Sequence, residues 1–438
     1  MNYFGTDGIR GHYGGKLLND DFAYSLGCAL GGYLNASGPD PSVLLARDTR
    51  PSGEKLMVAL SRGLENSGCR AVDAGILPTP ALSHGVVGRK VDLGVMITAS
   101  HNPIGDNGFK IFSRKGEKLA IEQERLIESR IELSALPENS GPPPRDSETG
   151  KAYLDYVKGV FPDGFLKGRK VVADMANGAT SGTSFQVLSH YGAEVFPLHH
   201  GEGAINENAG SEHPRLMQAK VSEVGAQLGI AYDGDGDRAL FCDAGGGLIH
   251  GDKILGLLAL DAKRFSSLDG AALVATEHSN SGLEESLRIE GLALHRAKVG
   301  DRNVAEMMRK EGCNLGGESS GHVVCSNYLP TGDGLYTSLL VAYAMVRNSK
   351  SLKELSGAIS LWPSRVGAFP VRRKVPIEDE PALSKALRET VLGLGSEGRV
   401  LLRYSGTEPK IRLLVEARNR ELADENFFLL ASVVEKIL

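Results

Sequence analysis

At 438 residues the chain is too long for a single hydrophobic core, so several domains are expected. Its 54 acidic and 49 basic residues leave a net charge of −5 with no dominant basic block, which argues against nucleic acid or an anionic membrane as the main partner. No apolar stretch is long enough to span a bilayer, MNYFGTDGIRG lacks the regions of a signal peptide, and the five cysteines are scattered without any CxxC pair. A cytoplasmic protein with neither a disulfide framework nor a zinc site is expected.

The chain repeats one pattern. The run Ser42–Gly53 (SVLLARDTRPSG) reads as a buried strand, a turn and the start of a helix. A second strand follows at GCRAVDAG from Gly68, and a third, from Leu93, ends in the polar loop TASHNP. The same order recurs at Lys170–Gly182 (KVVADMANGATSG), at GAEVFPL from Gly192 and at LGIAYDGDGDR from Leu228. It recurs again at Ala271–Gly282 (AALVATEHSNSG), at GLALHRAKVG from Gly291 and at LGGESSGHVV from Leu315. Strand–helix–strand–(helix)–strand marks an α/β unit, and such units bind ligands beyond the carboxyl ends of their strands. Three copies would offer three loops to one cleft. Leu136–Lys151 is rich in Pro, Ser and Gly and reads as a linker. LWPSRVGAFPV (Leu361–Val371) ends the third copy, and the tail to Leu438 lacks the pattern. The expected domains are 1–145, 146–247, 248–362 and 363–438, the boundary near Asp243–Asp252 being the least sharply marked.

The second loop carries the densest chemistry. Asp233, Asp235 and Asp237 alternate with glycine, and in an extended stretch alternate side chains share one side. Three convergent carboxylates call for a cation, and all-oxygen ligation suits Mg²⁺ or Ca²⁺. An EF-hand is excluded, because Arg238 stands where its glycine belongs and Ala244 where its glutamate belongs. Mg²⁺ keeps positions open for phosphate oxygens, so a phosphate is anticipated. Ser100 in the first loop could carry it, with Lys110 neutralising more of the charge. A Ser–His hydrolase fits less well: no GxSxG surrounds Ser100, and neighbours in an extended loop point to opposite sides, which places His101 poorly. Taken alone, Ser100 and Asn102 could merely form a turn before Pro103.

In the third loop, Glu318 could accept hydrogen bonds from sugar hydroxyls, Ser320 could add another, and His322 could meet a phosphate or move a proton. Taken alone, that loop is as readily structural. In the tail, LRYSGTEPKIR (Leu402–Arg412) gathers Arg403, Ser405, Thr407 and Arg412 around Gly406, which suits a non-reacting phosphate or a charged hairpin tip. Arg10, in FGTDGIRG, could reach the reacting phosphate. Gly246–Lys253 has Walker-like glycine spacing, but Asp252 stands where the lysine belongs.

With FGTDGIRG, GILPTPAL, TASHNP, DGDGDR, RAKVGDR, GESSGH, TGDGLYTSLLV and RYSGTEPKIR in this order, the chain resembles the α-D-phosphohexomutases, and most closely those acting on glucosamine phosphates. The resemblance implies three related mixed-sheet α/β domains and a C-terminal α+β domain of TATA-binding-protein-like fold, around a central cleft. It implies interconversion of glucosamine 6-phosphate and glucosamine 1-phosphate through a phosphoserine and a 1,6-bisphosphate, upstream of UDP-N-acetylglucosamine. It assigns catalysis to Ser100, Arg10, His101, Lys110, Arg238 and His322, and Mg²⁺ to Ser100, Asp233, Asp235 and Asp237. Substrate binding falls to Glu318, Ser320, Arg403, Ser405, Gly406, Thr407 and Arg412, with the sugar 1,6-bisphosphate as activator. The partner implied is a small sugar phosphate; a homodimer is expected, since many bacterial relatives form one. Ser319 stands where glucosamine enzymes usually have glutamine, and Tyr404 where proline is common. These departures touch substrate choice more than reaction class. The alternatives are a phosphomannomutase/phosphoglucomutase, a metal-dependent phosphatase, and a non-catalytic relative.

Overall fold

Each apolar run becomes a strand and each polar sequel a turn. The computed structural model describes residues 3–5, 7–36, 38–138, 141–405 and 409–437. The chain divides into two compact units: Met1–His278 with Gly291–Ala358, and Ser279–Glu290 with Ile359–Leu438.

The first unit holds three sheets. Strands β1 (Ile9–His12), β2 (Ser42–Arg47), β3 (Arg70–Ile76), β4 (Leu93–Ile97) and β5 (Asp106–Ser113) form a sheet in the order β1-β5-β4-β2-β3. Strands β6 (Lys170–Asp174), β7 (Glu194–Leu198), β8 (Leu228–Tyr232), β9 (Ala239–Asp243) and β10 (Leu248–Ile249) are ordered β10-β9-β8-β6-β7. Strands β11 (Ala272–Thr276), β12 (Ala293–Ala297), β13 (Leu315–Gly317) and β14 (Val323–Cys325) are ordered β12-β11-β13-β14. In all three, the strand leading into the polar loop pairs in parallel with the first strand of its repeat. On its other side it pairs with an antiparallel return strand. The repetition read from the sequence is therefore a repetition of topology. The return strands β5, β9 and β14 are additions to that reading.

The central strands β4, β8 and β11 are buried at every position, as expected where helices cover both faces of parallel strands. In the first sheet, Val43, Leu45, Val95 and Ile97 pack with Leu26, Leu30, Leu60 and Leu64 from the helices Asp20–Asn35 and Gly53–Asn66. Asn19 starts the earlier helix by accepting from the Phe22 amide at 2.9 Å. The expected linker is tied down: Asp73 N donates to Pro144 O at 2.9 Å, and a helix begins at Glu148.

The second unit is an antiparallel sheet of β15 (Ser364–Pro370), β16 (Gly398–Tyr404) and β17 (Lys410–Ala417), with β17 central. Leu413 and Val415 pack with Phe427 and Leu430 of the helix Arg420–Ile437. The helix Ser281–Ile289 belongs to the third repeat by sequence but to this unit by contact. Its Ser281 donates to Glu416 from both amide and hydroxyl, at 3.0 and 2.9 Å.

Candidate functional site

Ser100 stands just beyond the carboxyl end of β4, fully buried, with φ +52°. Its amide donates to Thr98 Oγ1 at 2.8 Å, and Thr98 donates to Asp48 Oδ2 at 2.6 Å. Beneath the loop lies the buried guanidinium of Arg50, paired with Asp48 at 3.0 Å. Arg50 donates to Ser100 O at 3.0 Å, Asn102 O and Asp106 O at 2.8 Å, and also to Pro103 O. From the second repeat, Asn206 Nδ2 donates to Ser100 O and Asn102 O at 2.8 and 2.9 Å. The left-handed backbone at Ser100 corrects the expectation of an extended loop with His101 turned away: His101 Nδ1 lies 3.3 Å from Ser100 Oγ. Burial, then the charges of Arg238 and Arg10, push the His101 imidazole below its ordinary pKa.

Ser100 Oγ donates to Asp233 Oδ2 at 2.6 Å, so the first loop meets the acidic loop directly. The three carboxylates do converge: one oxygen from each of Asp233, Asp235 and Asp237 lies within 4.8 Å of the others. They do so on a turn rather than on an extended stretch, with Gly236 at φ +73°. Close approach also dictates glycine at 234, where a Cβ would come within 2.6 Å of Ser100 O.

Lys110 Nζ lies 2.7 Å from Asp235 Oδ2 and 2.7 Å from Asp237 Oδ2, and Thr79 Oγ1 also donates to Asp235 Oδ2. Among the described residues the other oxygens, Asp235 Oδ1 and Asp237 Oδ1, are buried without a hydrogen-bond partner. Buried acceptors left open on two adjacent aspartates suit a cation, and the all-oxygen set suits a hard one. Burial opposes the Lys110 charge, but Asp235, Asp237 and Asp7 outweigh it and lift its pKa well above the usual lysine value. Burial, then the charges of Asp237 and Asp235, push Asp233 well above the carboxylate range. Burial also acts to raise Asp237, but Lys110, His322 and Arg238 outweigh it and hold its carboxyl down.

The third loop joins the same place. Arg238 and His322 form an isolated antiparallel bridge, and Arg238 Nε lies 3.7 Å from Asp237 Oδ1. His322 is buried, with no hydrogen bond to either ring nitrogen among the described residues. Asp301 Oδ2 lies 3.8 Å from its Nε2. Glu318 Oε1 accepts from Gly300 N at 2.9 Å, and Ser320 Oγ stands 3.5 Å from Glu318 Oε2. Arg10 pairs with Asp7 and reaches Asn102 Oδ1 at 3.4 Å; Lys118 pairs with both Asp7 and Asp301. Alternating charges thus run from Arg10 through Asp7 and Lys118 to Asp301, beside which His322 lies.

In the second unit, Arg403 and Arg412 face each other across β16 and β17 and therefore share one face near the tip of that hairpin. Ser405 N donates to Lys410 O at 2.8 Å, and Lys374 Nζ donates to Ser405 O at 2.6 Å. Gly406 and Thr407 lie outside the described residues.

Family models described as phosphoglucomutase/phosphomannomutase alpha/beta/alpha domains I, II and III match residues 1–136, 135–246 and 250–360, and the model of that family's C-terminal domain matches residues 368–426. The chain belongs to the phosphoglucomutase/phosphomannomutase family. It is 40% identical to a phosphoglucosamine mutase of Cutibacterium acnes, over 99% of both chains. It is 42% identical to one of Thermus thermophilus, over 96% of this chain and 97% of the other. Among solved structures, a phosphoglucomutase/phosphomannomutase family protein of Burkholderia thailandensis superposes with a TM-score of 0.80 at 26% identity, covering 98% of this chain and 97% of that one.

In this family member, sequence reasoning missed Asp7, Arg50, Thr79, Lys118, Asn206 and Asp301. Asp7, Thr79 and Asp301 lie within FGTDGIRG, GILPTPAL and RAKVGDR; for the two aspartates, a carboxylate beside a cation was the available signal. Arg50 and Asn206 act on backbone carbonyls of a distant loop, and nothing local marks that.

Proposed function

We propose that this chain is a phosphoglucosamine mutase, interconverting glucosamine 6-phosphate and glucosamine 1-phosphate through a phosphoryl group carried on Ser100. The observation that carries the reading is the 2.6 Å contact of Ser100 Oγ with Asp233, in the corner where three aspartates converge and two of their oxygens stay open. Relatives at 40 and 42% identity over nearly the whole chain bear the name phosphoglucosamine mutase.

Phosphoryl transfer depends on positioning and on neutralising charge. Asp233, Asp235 and Asp237, with Ser100, are the residues that would hold Mg²⁺, which when bound supplies charge neutralisation to phosphoryl oxygens. Lys110 and Thr79 fix the aspartate carboxylates from behind. Arg10 and Arg238 add positive charge beside Ser100. The phosphoryl group leaves Ser100 Oγ for a free hydroxyl of the sugar monophosphate; that hydroxyl gives up its proton and Ser100 Oγ gains one. His101 Nδ1, 3.3 Å away, can exchange the proton at Ser100. His322 is the candidate on the sugar side; Lys110, expected to share that role, sits between Asp235 and Asp237 with its pKa lifted, and so keeps its proton as a counter-charge. Glu318 and Ser320 would hold the sugar ring; Arg403, Ser405, Gly406, Thr407 and Arg412 would hold the distal phosphate. The resulting 1,6-bisphosphate turns over and returns its other phosphate to Ser100, and added bisphosphate would recharge an enzyme that has lost the group. The product would feed UDP-N-acetylglucosamine synthesis in the cytoplasm. Among the described residues, no helix is long and apolar enough to cross a membrane. A homodimer belongs to the same proposal and is checked by light scattering.

Intact mass before and after phosphatase treatment tests the carrier: one phosphate mapping to Ser100 is expected, and Ser100→Ala should be inactive. Coupled assays on glucosamine, glucose and mannose 6-phosphates test the substrate. Equal or faster turnover of mannose 6-phosphate overturns the assignment, and stoichiometric release of inorganic phosphate would mark a phosphatase.

A further inference from the structure

We infer that Asn206 is a positioning residue for phosphoryl transfer, locking the Ser100 loop of the first repeat onto the acidic loop of the second. The inference rests on the reading that Ser100 carries the phosphoryl group. Asn206 is 8% exposed and has φ +61°, a left-handed conformation that asparagine tolerates better than most residues. Its own amide donates to Ala176 O at 2.9 Å, so its backbone is anchored in the second repeat. Its side-chain nitrogen then crosses to the first repeat and donates to Ser100 O and Asn102 O, at 2.8 and 2.9 Å.

Arg50 Nη2 binds the same two oxygens, at 3.0 and 2.8 Å. The division of labour follows from where the two residues sit. Arg50 lies in the first repeat and folds the loop; Asn206 lies in the second and sets where that loop stands against the aspartates. The acidic loop leaves room for this tie, since a Cβ on Gly234 would lie 3.0 Å from Asn206 Nδ2 and 2.6 Å from Ser100 O. Loss of the Asn206 amide therefore leaves the loop folded on Arg50 but frees it to shift against Asp233. Misplacement by about 1 Å can cost a reaction about a hundredfold. Because Asn206 is not among the groups read as holding the sugar, the loss should fall on kcat.

The test uses the full-length enzyme with Mg²⁺ and glucosamine 6-phosphate. Asn206→Gly keeps the left-handed backbone without strain and removes only the side chain; Asn206→Asp keeps shape and backbone preference but turns the donor into an acceptor. Both should lower kcat by about 10- to 100-fold, the range for residues that orient a metal site from behind. KM should stay within about twofold of wild type, and Mg²⁺ binding, measured by calorimetry on the phosphorylated enzyme, should weaken. Wild-type kcat in either variant, while Ser100→Ala is inactive, overturns the inference. So does a loss accompanied by a collapse in melting temperature and a matching rise in KM, which would mark a merely structural residue. Activity retained in Ser100→Ala instead brings down the carrier reading, and the inference with it.

Discussion

His322 shows how a side chain that makes no hydrogen bond among the described residues can still be fixed in place. A Cβ on Gly332 would lie 2.3 Å from its Nε2 and 2.6 Å from its Cδ2, so the imidazole rests directly on the glycine backbone. Gly332→Ala should displace the ring and lower kcat, whereas in a His322→Ala background the same substitution should change neither kcat nor melting temperature. Equal costs in both backgrounds would show that shape is not what holds the ring. Lys110 illustrates the opposite case, a buried ammonium between two nearly inaccessible carboxylates. Lys110→Met leaves those charges uncompensated and should cost the metal-free protein about 3–5 kcal/mol. Added Mg²⁺ should then raise the melting temperature of the variant more than that of wild type, because it restores the missing counter-charge; calorimetric melting with and without the ion decides this. At this scale the sequence disclosed residues whose chemistry is local. Three aspartates spaced by glycines, or a serine in a polar loop after an apolar run, announce themselves. Arg50, Asn206 and Thr79 do not, because the loops they hold in place lie far along the chain and Asn206 reaches its loop only through carbonyl oxygens, which every residue has.

The helix Gly334–Arg347 begins at Asp333, whose Oδ1 accepts from Tyr336 N at 2.9 Å while Oδ2 accepts from Tyr153 OH at 2.9 Å. Burial raises the Asp333 carboxyl to about 6, against the pull of these hydrogen bonds. A carboxyl raised on folding stabilises the fold while it is protonated, fully below its unfolded pKa of about 4, and that contribution is lost as pH rises through about 6. The loss amounts to at most about 3 kcal/mol. Asp333→Asn keeps a capping oxygen but cannot titrate. The melting temperature of wild type relative to Asp333→Asn should therefore fall between pH 4.5 and pH 7; a constant difference across that range would rule out the titration. Elements were legible where apolar runs are continuous, as in β2, β4, β6, β8 and β11. The return strands were not, because β5 starts immediately after the Ser100 loop and β14 is short. The two misjudged loops share one cause. Left-handed backbone at Ser100 and Gly236 turns the chain where an extended stretch was assumed, bringing His101 onto Ser100 and gathering the aspartates by a turn.

At the scale of the whole molecule, the chain order of the repeats and the contact order of the units part company. The helix Ser281–Ile289 interrupts the third repeat, yet its N-terminus is capped by Glu416 of β17. Glu416 is 2% exposed and also pairs with Arg399 at 3.0 Å, while Asn280 exchanges hydrogen bonds with the backbone of Trp362 at 2.8 and 3.0 Å. A buried carboxylate at a helix N-terminus, paired with a guanidinium, ties the two chain segments of the second unit together. Sequence periodicity could not reveal this, because the helix looks like its counterparts in the other repeats and only its long-range partners differ. Two compact units, each with its own core, should unfold as two calorimetric transitions. Glu416→Gln removes the charge but keeps an acceptor oxygen, and weakening its pairing with the part-exposed Arg399 should cost the second unit about 1–3 kcal/mol. Its transition should move down while the other stays in place. Mg²⁺, if held at the proposed aspartate site, which lies wholly in the first unit, should do the converse and raise only the transition that Glu416→Gln leaves alone. A single transition displaced by both treatments would mean that the two units melt as one, and that the cap on Ser281 stabilises the whole chain rather than its C-terminal part.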